Sequence, residues 1–162
     1  MYKKIKIFIL LLLVVFSLSA CSMHKKNKEV LMDKPAKDGQ YHYKNKDLGF
    51  SLILDQDFIY YQTQRKKIGN TRMIEFFVPT SDSNYSQEVP GYGKPLTISI
   101  FNLDYWDGLK DNQNEKAFYQ EIKRNKNNVY AFKFWDNVPK DWKNKWNKEK
   151  EEELIKNFRL ID

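Results

Sequence analysis

The only thiol of the chain belongs to Cys21, which stands close behind an unbroken run of ten apolar residues, 7–16. Three lysines lie in the first six residues, and residues 17–20 (SLSA) are mostly small. A basic start, a short apolar stretch and small residues before a cut site are typical of a secretory signal peptide. The apolar run is too short to span a bilayer, which takes about 20 residues. A thiol at the cut site is also a nucleophile, so this position allows alkylation.

The residues Leu18-Ser19-Ala20-Cys21 resemble the lipobox of bacterial lipoproteins, in which a leucine precedes the cysteine by three positions, with small residues between them. The resemblance implies that residues 1–20 are removed as a signal peptide, that Cys21 is thioether-linked to a diacylglycerol whose acyl chains are of the palmitate type, and that Cys21 becomes the new amino terminus. Two acyl chains anchor a protein stably where one is marginal. We therefore expect a lipid anchor on the extracytoplasmic face of the cell membrane. The alternatives are an ordinary cleaved signal peptide and an uncleaved anchor.

Two pairs of carboxylates stand near predicted strand ends: Asp55 with Asp57, and Asp104 with Asp107. Two carboxylates that face each other across a cleft can hydrolyse a glycosidic bond, one as the acid and one as the base. Spacings of two and three residues do not by themselves produce that facing geometry. Turn chemistry explains aspartate at these positions more simply, so we expect a protein that is not an enzyme.

Histidine and cysteine are nearly absent from the predicted folded part. His24 and His42 are the only histidines, and both lie in or near the basic stretch that follows Cys21. Serine-type and cysteine-type triads need a histidine base, and zinc sites use histidine or cysteine ligands. No glycine pattern that cradles a phosphate precedes a predicted helix. We expect no cofactor and no metal.

The chain has four tryptophans, Trp106, Trp135, Trp142 and Trp146, of which Trp142, Trp146 and Trp106 are candidate binding residues. Trp142 and Trp146 are four residues apart, so a helix would present both on one face. Exposed aromatic rings can stack on sugars or anchor a protein partner. The alternative is packing in the core, because aromatic rings bury large areas. Several lysines surround Trp142 and Trp146, and we expect this pair, followed by Trp106, to supply the exposed rings.

A long polar segment, residues 79–95, separates two predicted strands. Loops of this length in a small domain are either functional or disordered. Within residues 80–94, Tyr85 and Tyr92 accompany Gly91 and Gly93, a composition that suits an adaptable contact surface. We include both tyrosines among the candidate binding residues, with a flexible insertion as the alternative.

The net charge of +7 is concentrated at one end of the chain. Residues 1–20 contain three lysines, residues 22–46 contain seven lysines against three acids, and residues 47–162 contain 18 basic and 18 acidic side chains. A basic stretch beside a lipid anchor is attracted to anionic headgroups. The remaining part has no basic excess, which argues against nucleic acid as a partner.

Hydrophobic patterning divides the chain into a signal peptide (1–20), a lipidated amino terminus with a flexible lysine-rich tether (21–40) and a single domain (41–162). Alternating apolar residues predict strands over 48–54, 58–63, 71–78, 96–105 and 129–135, with a short final strand at 159–161. A charged turn is expected at 65–70. Spacing and capping predict helices over 115–125, after Asn114, and over 147–157. This order favours an α+β fold, in which an antiparallel sheet packs against helices.

Four stretches resemble small uncharacterised envelope lipoproteins whose domain is similar to the PsbP/Mog1 type. They are "YKNKDLGFSLIL", "PLTISIFNLDYWD" and the pair "RNKNNVYAFKFW" and "EEELIKNFRL". Asp55 and Phe58 stand where that group would have a proline and a tryptophan. The resemblance implies a layered sandwich with an antiparallel sheet flanked by helices, and it supplies no catalytic residues. Proteins of this fold mostly serve as accessory or interaction modules, although fold alone does not define function.

Three functions from different classes follow from these features. The first is a protein-interaction or accessory module that uses the Trp142 region and the 80–94 segment to bind an envelope protein. The second is a binder of wall glycan or of a small ligand through aromatic rings. The third, a hydrolase, has the least support.

Overall fold

The structure is a computed structural model that describes residues 35–85, 87–109 and 118–161. The predicted signal peptide, Cys21 and most of the predicted tether lie outside these residues. Residues 36–40 form a turn in which the amide of Gly39 donates to the carbonyl of Ala36 over 2.9 Å. The first strand begins directly after this turn, at Tyr41.

The larger of two sheets in the described chain is a five-stranded antiparallel sheet with the order β3-β4-β5-β7-β6. Its strands are β3 (Gln62–Ile68), β4 (Thr71–Pro79), β5 (Tyr92–Asn102), β6 (Gln120–Arg124) and β7 (Asn128–Phe134). Strands β4 and β5 are buried along most of their length, so little of the sheet centre is exposed to solvent.

A smaller antiparallel sheet, with the order β1-β2-β8, lies beside it. Its strands are β1 (Tyr41–Asn45), β2 (Phe50–Leu54) and β8 (Phe158–Leu160). Within the described residues the regular structure also includes two short helices, α1 (Leu103–Gly108) and α2 (Lys148–Asn157), and 3-10 turns at Gln56–Phe58 and Lys140–Trp142. The Asn147 side chain caps α2 by accepting a hydrogen bond from the Lys150 amide over 2.9 Å, which explains where this helix starts.

The main core lies between the small sheet with α2 and one face of the large sheet. Alternate residues of the central strands β4, β5 and β7 and of the small sheet point into it, as the two-residue period of a strand requires. Its fully buried aromatic members include Phe50, Phe58, Phe76, Phe132 and Phe158. Each such ring contributes about 1.5–3 kcal/mol relative to exposure, so this layer supplies much of the stability.

The opposite face of the large sheet is covered over one half by a second, smaller cluster. Phe101, Leu109, Val129 and Ala131 surround Trp106, which is 1% exposed. The Trp106 indole donates its N–H to Glu121 Oε2 over 2.9 Å. Trp106 is therefore a core residue of this half and does not offer the exposed ring that a binding role would need.

The predicted α+β layout is only partly present. The antiparallel pairing is confirmed, but the described residues form two sheets with two short helices, so the fold is richer in sheet than expected. The strands predicted over 48–54, 71–78 and 129–135 are confirmed as β2, β4 and β7, and the elements at 147–157 and 159–161 as α2 and β8. Strand β1 was not predicted.

Three predicted elements are wrong in part. Within the helix predicted over 115–125, Gln120–Arg124 is the edge strand β6, and Phe118 is 61% exposed; Asn114 lies outside the described residues. The strand predicted over 58–63 starts at Gln62 and continues to Ile68, because the charged residues lie on an edge strand paired with β4. The turn expected over 65–70 is therefore confined to Gly69 and Asn70. The strand predicted over 96–105 ends at Asn102, whose side chain caps α1.

Candidate functional site

A cavity of about 700 Å³ opens on the uncovered half of the second face of the large sheet. Glu75 of β4, Thr97 of β5 and Lys133 of β7 lie side by side in register across its floor. Their sequence neighbours point into the main core, so the alternation of the strands directs these three side chains into the cavity. A buried sheet therefore presents a polar row at the bottom of a concave site.

Two segments form the walls of this cavity. On one side stands the loop 80–91, described here without residue 86, and on the other the segment 135–143 that joins β7 to α2. They contribute Asp82, Asn84, Tyr85, Trp135, Asn137, Val138 and Lys140 to the lining. Two aromatic rings thus share one concave space with amides and charged groups, so the cavity is more polar than most small-molecule sites, which are lined mainly by apolar side chains.

Gly93 allows one aromatic ring from each wall, Tyr85 and Trp135, to approach the sheet. A Cβ atom at Gly93 would lie 3.1 Å from Trp135 Cζ2, 3.3 Å from Pro139 Cγ and 3.6 Å from Tyr85 Cε1. The absence of a side chain therefore lets Trp135 and Tyr85 rest on the backbone of β5. Burial raises the pKa of the Tyr85 hydroxyl, against the opposing effect of its contacts with the Lys94 backbone and Trp135.

A network of four charges connects the cavity floor to the loop 80–91. Glu75 is only 5% exposed, and its two carboxylate oxygens lie 2.8 Å from Lys66 Nζ and 2.8 Å from Lys94 Nζ. Glu88 of the loop pairs with the same two lysines, at 2.6 Å from Lys94. Hydrogen bonds lower the pKa of Glu88, with the larger effect from Lys66 and the smaller one from Lys94. A buried carboxylate is costly unless it is paired, so the two lysines make Glu75 tolerable at this position.

The other end of the loop 80–91 is held by aspartates. Asp141 accepts hydrogen bonds from the Thr80 hydroxyl over 2.7 Å and from the Ser81 amide over 2.8 Å. Asp82 accepts from the Lys140 amide over 2.9 Å. Both ends of the loop are therefore attached to the rest of the fold, which fixes the position of the wall that carries Tyr85.

The two tyrosines predicted as binding residues lie near the cavity. Tyr85 lines it, together with a smaller adjoining hollow of about 290 Å³ that Tyr92 also lines. The Tyr92 hydroxyl accepts a hydrogen bond from Gln62 Nε2 over 2.7 Å. The structure thus brings both tyrosines to one region, with Tyr85 closer to the floor residues.

Trp142 and Trp146 do not have the exposure that their proposed binding role needs, since they are 4% and 7% exposed. Their indole N–H groups donate to the Pro79 carbonyl over 2.9 Å and to Glu151 Oε1 over 3.0 Å. Trp142 closes the 3-10 turn while α2 starts only at Lys148, so the two residues do not share a helix. The expectation of an exposed pair is wrong, because the lysines between them point outward while the rings complete the core.

The tryptophan that does line the cavity is Trp135. Its ring centroid lies 5.3 Å from that of Trp142 and 4.9 Å from that of Trp146, both in edge-on packing. The two buried tryptophans therefore support Trp135 from behind. The sequence included Trp135 among four tryptophans but gave no reason to select it, apart from its place at the end of a strand.

The four aspartates considered as an acid and base pair lie elsewhere. Asp55 caps the first 3-10 turn by accepting from the Asp57 amide over 3.0 Å, and Lys150 Nζ pairs with both carboxylates, at 2.8 Å from Asp57. Asp104 and Asp107 belong to α1. None of these four side chains is among the residues that line the cavity, so the structure does not bring them together across a cleft.

Within the described residues, no group of three or more histidine, cysteine, aspartate or glutamate side chains is arranged to hold a metal ion. None of the helices in this part of the chain combines the length and apolar character needed to cross a bilayer. No protein-family model, no curated protein and no solved structure matches the chain. The likeness to the PsbP/Mog1 type therefore stays a prediction.

Proposed function

We propose that the chain is a lipid-anchored protein of the extracytoplasmic membrane face, not an enzyme, and that its folded part binds a ligand in the cavity between the loop 80–91 and the segment 135–143. The observation that carries this proposal is the placing of Tyr85 and Trp135 over the polar row of Glu75, Thr97 and Lys133. The lipid anchor is supported by the residues that lead up to Cys21.

The ligand that suits this cavity best is a segment of wall glycan or a small molecule of similar chemistry. Aromatic faces pack against the C–H faces of sugar rings, and amides and carboxylates bond to their hydroxyl groups. The cavity offers aromatic faces, and it offers amides and a carboxylate through Asn84, Asn137 and Asp82. Binding to a protein partner through Trp142 and Trp146 has lost its main support, because both rings are buried.

The finer fold assignment, a layered sandwich of the PsbP/Mog1 type, belongs to the same proposal. Two antiparallel sheets, with α2 beside the small sheet, support it. In that arrangement the domain is a rigid support that positions the walls of the cavity, and the lysine-rich stretch after Cys21 connects it to the membrane.

Titration calorimetry of the processed chain, residues 21–162, with purified glycan strands tests the proposal. We expect Tyr85→Ala and Asn137→Ala each to weaken binding about tenfold, equivalent to about 1.4 kcal/mol. Tyr105→Ala is the matched control, since Tyr105 is 44% exposed and lies on α1, outside the cavity. Absence of binding to glycan strands, or an equal loss in all three variants, would count against the proposal. Urea denaturation of each variant separates lost binding from lost folding.

A further inference from the structure

Two consecutive large apolar residues, Ile59 and Tyr60, project from the surface and are 44% and 61% exposed. They follow the 3-10 turn Gln56–Phe58 and precede β3. The remaining exposed large apolar side chains of the described residues, Ile68, Tyr105 and Phe118, are not neighbours in sequence. Single exposed apolar residues are ordinary on protein surfaces, but an adjacent pair in one loop calls for a reason.

The backbone at Tyr60 is unusual as well. Its φ of 60° makes it the one residue other than glycine with positive φ in the described part of the chain. Bulky residues rarely adopt this conformation, and such outliers cluster at functional sites. The flanking residues hold it in place, because Phe58 and Tyr61 are buried and the Tyr61 amide donates to the Phe58 carbonyl over 3.0 Å. The result is that Ile59 and Tyr60 point outward while their neighbours point into the core.

This pair lies at the end of the domain where the chain arrives from Cys21. Gly39, in the turn before β1, approaches the Gln56 side chain so closely that a Cβ atom would lie 3.0 Å from its Nε2. The Tyr41 ring packs edge-on against Tyr61, with centroids 6.0 Å apart. Pro35 is 14 positions after Cys21, so the anchor lies within about 50 Å of it even in a fully extended chain.

The charges around the pair do not oppose contact with an anionic surface. Asp55 and Asp57 pair with Lys150, and Asp57 also lies 3.8 Å from Lys145 Nζ. Lys145 is half exposed, and the seven lysines of residues 22–46 add further positive charge. Lysines near a bilayer are attracted to anionic headgroups.

We propose that Ile59 and Tyr60 form a second contact with the membrane, which orients the folded part on the bilayer when the chain is anchored. Tyrosine suits this place because its ring is apolar and its hydroxyl is polar, the combination found at membrane interfaces. Two side chains bind a bilayer weakly, but an anchor at Cys21 makes the contact intramolecular and so keeps the local concentration high. The inference rests on the proposed lipid anchor.

The single thiol makes a direct test possible. Residues 21–162 are coupled through Cys21 to a maleimide lipid in nanodiscs of anionic lipid that contain a headgroup-bound spin label, and broadening of amide signals is measured by NMR. We expect the amides of residues 59 and 60 to broaden at least twofold more than those of Ile68, at the far end of β3. Ile59→Ser with Tyr60→Ser should abolish this difference, and the matched control Ile68→Ser should leave it unchanged.

Tyr60→Gly provides a variant that keeps the fold, because glycine adopts positive φ without strain. It should reduce the broadening of residue 59 while the spectrum stays that of a folded protein. Equal broadening over the whole surface, or no effect of the double variant, would overturn the inference. So would loss of a co-purifying envelope protein in the double variant with unchanged broadening, which would make the pair a protein contact. Because the coupling is chemical, these outcomes do not depend on whether Cys21 is lipidated in cells.

Discussion

The indole N–H of Trp142 donates a hydrogen bond to the carbonyl oxygen of Pro79 over 2.9 Å. This bond joins the 3-10 turn before α2 to the last residue of β4, and it satisfies the polar atom of a ring that is 4% exposed. Trp142 is therefore a structural residue that supports Trp135 from inside the fold.

Trp142→Ala should lower the free energy of unfolding by about 3–5 kcal/mol, the usual cost of truncating a buried aromatic residue. Urea denaturation followed by circular dichroism measures this change. Ile68→Ala, at a side chain that is 67% exposed, should change the stability by less than about 0.5 kcal/mol. If Trp142→Ala left the stability intact and abolished ligand binding, the ring would have to be a binding residue.

Ser99 on β5 has a fully buried hydroxyl without a hydrogen-bond partner. Burying a polar group in this way costs about 1–3 kcal/mol. Ser99→Ala should therefore raise the free energy of unfolding by about 1 kcal/mol. A decrease of similar size would show that the hydroxyl has a partner, such as a bound water. Thermal denaturation measures the change in stability. Thr97→Ala is the comparison variant on the same strand, because the Thr97 side chain faces the cavity.

The carboxylates that hold the loop 80–91 predict a dependence of stability on pH. The Lys140 amide lowers the pKa of Asp82, and Lys66 with Lys94 lowers the pKa of Glu88. Burial alone would raise the pKa of Asp141, but hydrogen bonds from Ser81 and Thr80 outweigh burial, so that this pKa is also lowered. Each of these carboxylates has a lower pKa in the folded chain than in the unfolded chain, where the pKa is about 4. Its ionised form therefore stabilises the fold fully above about pH 4, and this stabilisation is lost as the pH falls through the pKa of the folded chain.

Asp141→Asn removes one of these titrations, so the variant should lose less stability than the unaltered chain between about pH 5 and pH 2. Urea midpoints measured across this range provide the test. Asp104→Asn, at an exposed residue of α1, is the control and should retain the acid dependence of the unaltered chain. An identical acid dependence in the Asp141 variant would show that the aspartate does not hold the loop.

Cys21→Ser tests the proposed anchor. Growth with an alkyne analogue of palmitate should label the unaltered chain and leave the serine variant unlabelled, because the diacylglyceryl group that carries the fatty acids is attached to the cysteine sulfur through a thioether. Met23→Ser, two positions later, should be labelled normally. Labelling of the serine variant, or none in the unaltered chain, would contradict lipidation at Cys21.

The fold was predictable from the sequence where the pattern was strong. Strands β4 and β7 show the long runs of apolar and aromatic residues that favour strands, and α2 has a capping asparagine before a charged face. The edge strands were not predictable in the same way. In β6 only Ile122 is partly buried and a bulge interrupts the pairing, so its placement comes from hydrogen bonding to β7.

The candidate site was predictable only in part. Tyr85 was selected because it belongs to a long loop, and it does line the cavity. The floor of Glu75, Thr97 and Lys133 was missed, because these residues meet only through the register of three strands that are distant in sequence. The expected exposure of Trp142 and Trp146 was wrong: the lysines around them indicated exposed rings, whereas both rings are buried against Phe58, Trp135 and the end of β4.

Ligand binding in the cavity is tested most directly by recording amide spectra of residues 21–162 while purified wall glycan strands are added. The proposed function predicts shifts concentrated at Tyr85, Thr97, Lys133 and Trp135, and in the Tyr85→Ala variant about tenfold more glycan should be needed to produce the shifts at the other three residues. Shifts centred on α1 or on β1, or a spectrum that glycan strands leave unchanged, would contradict it.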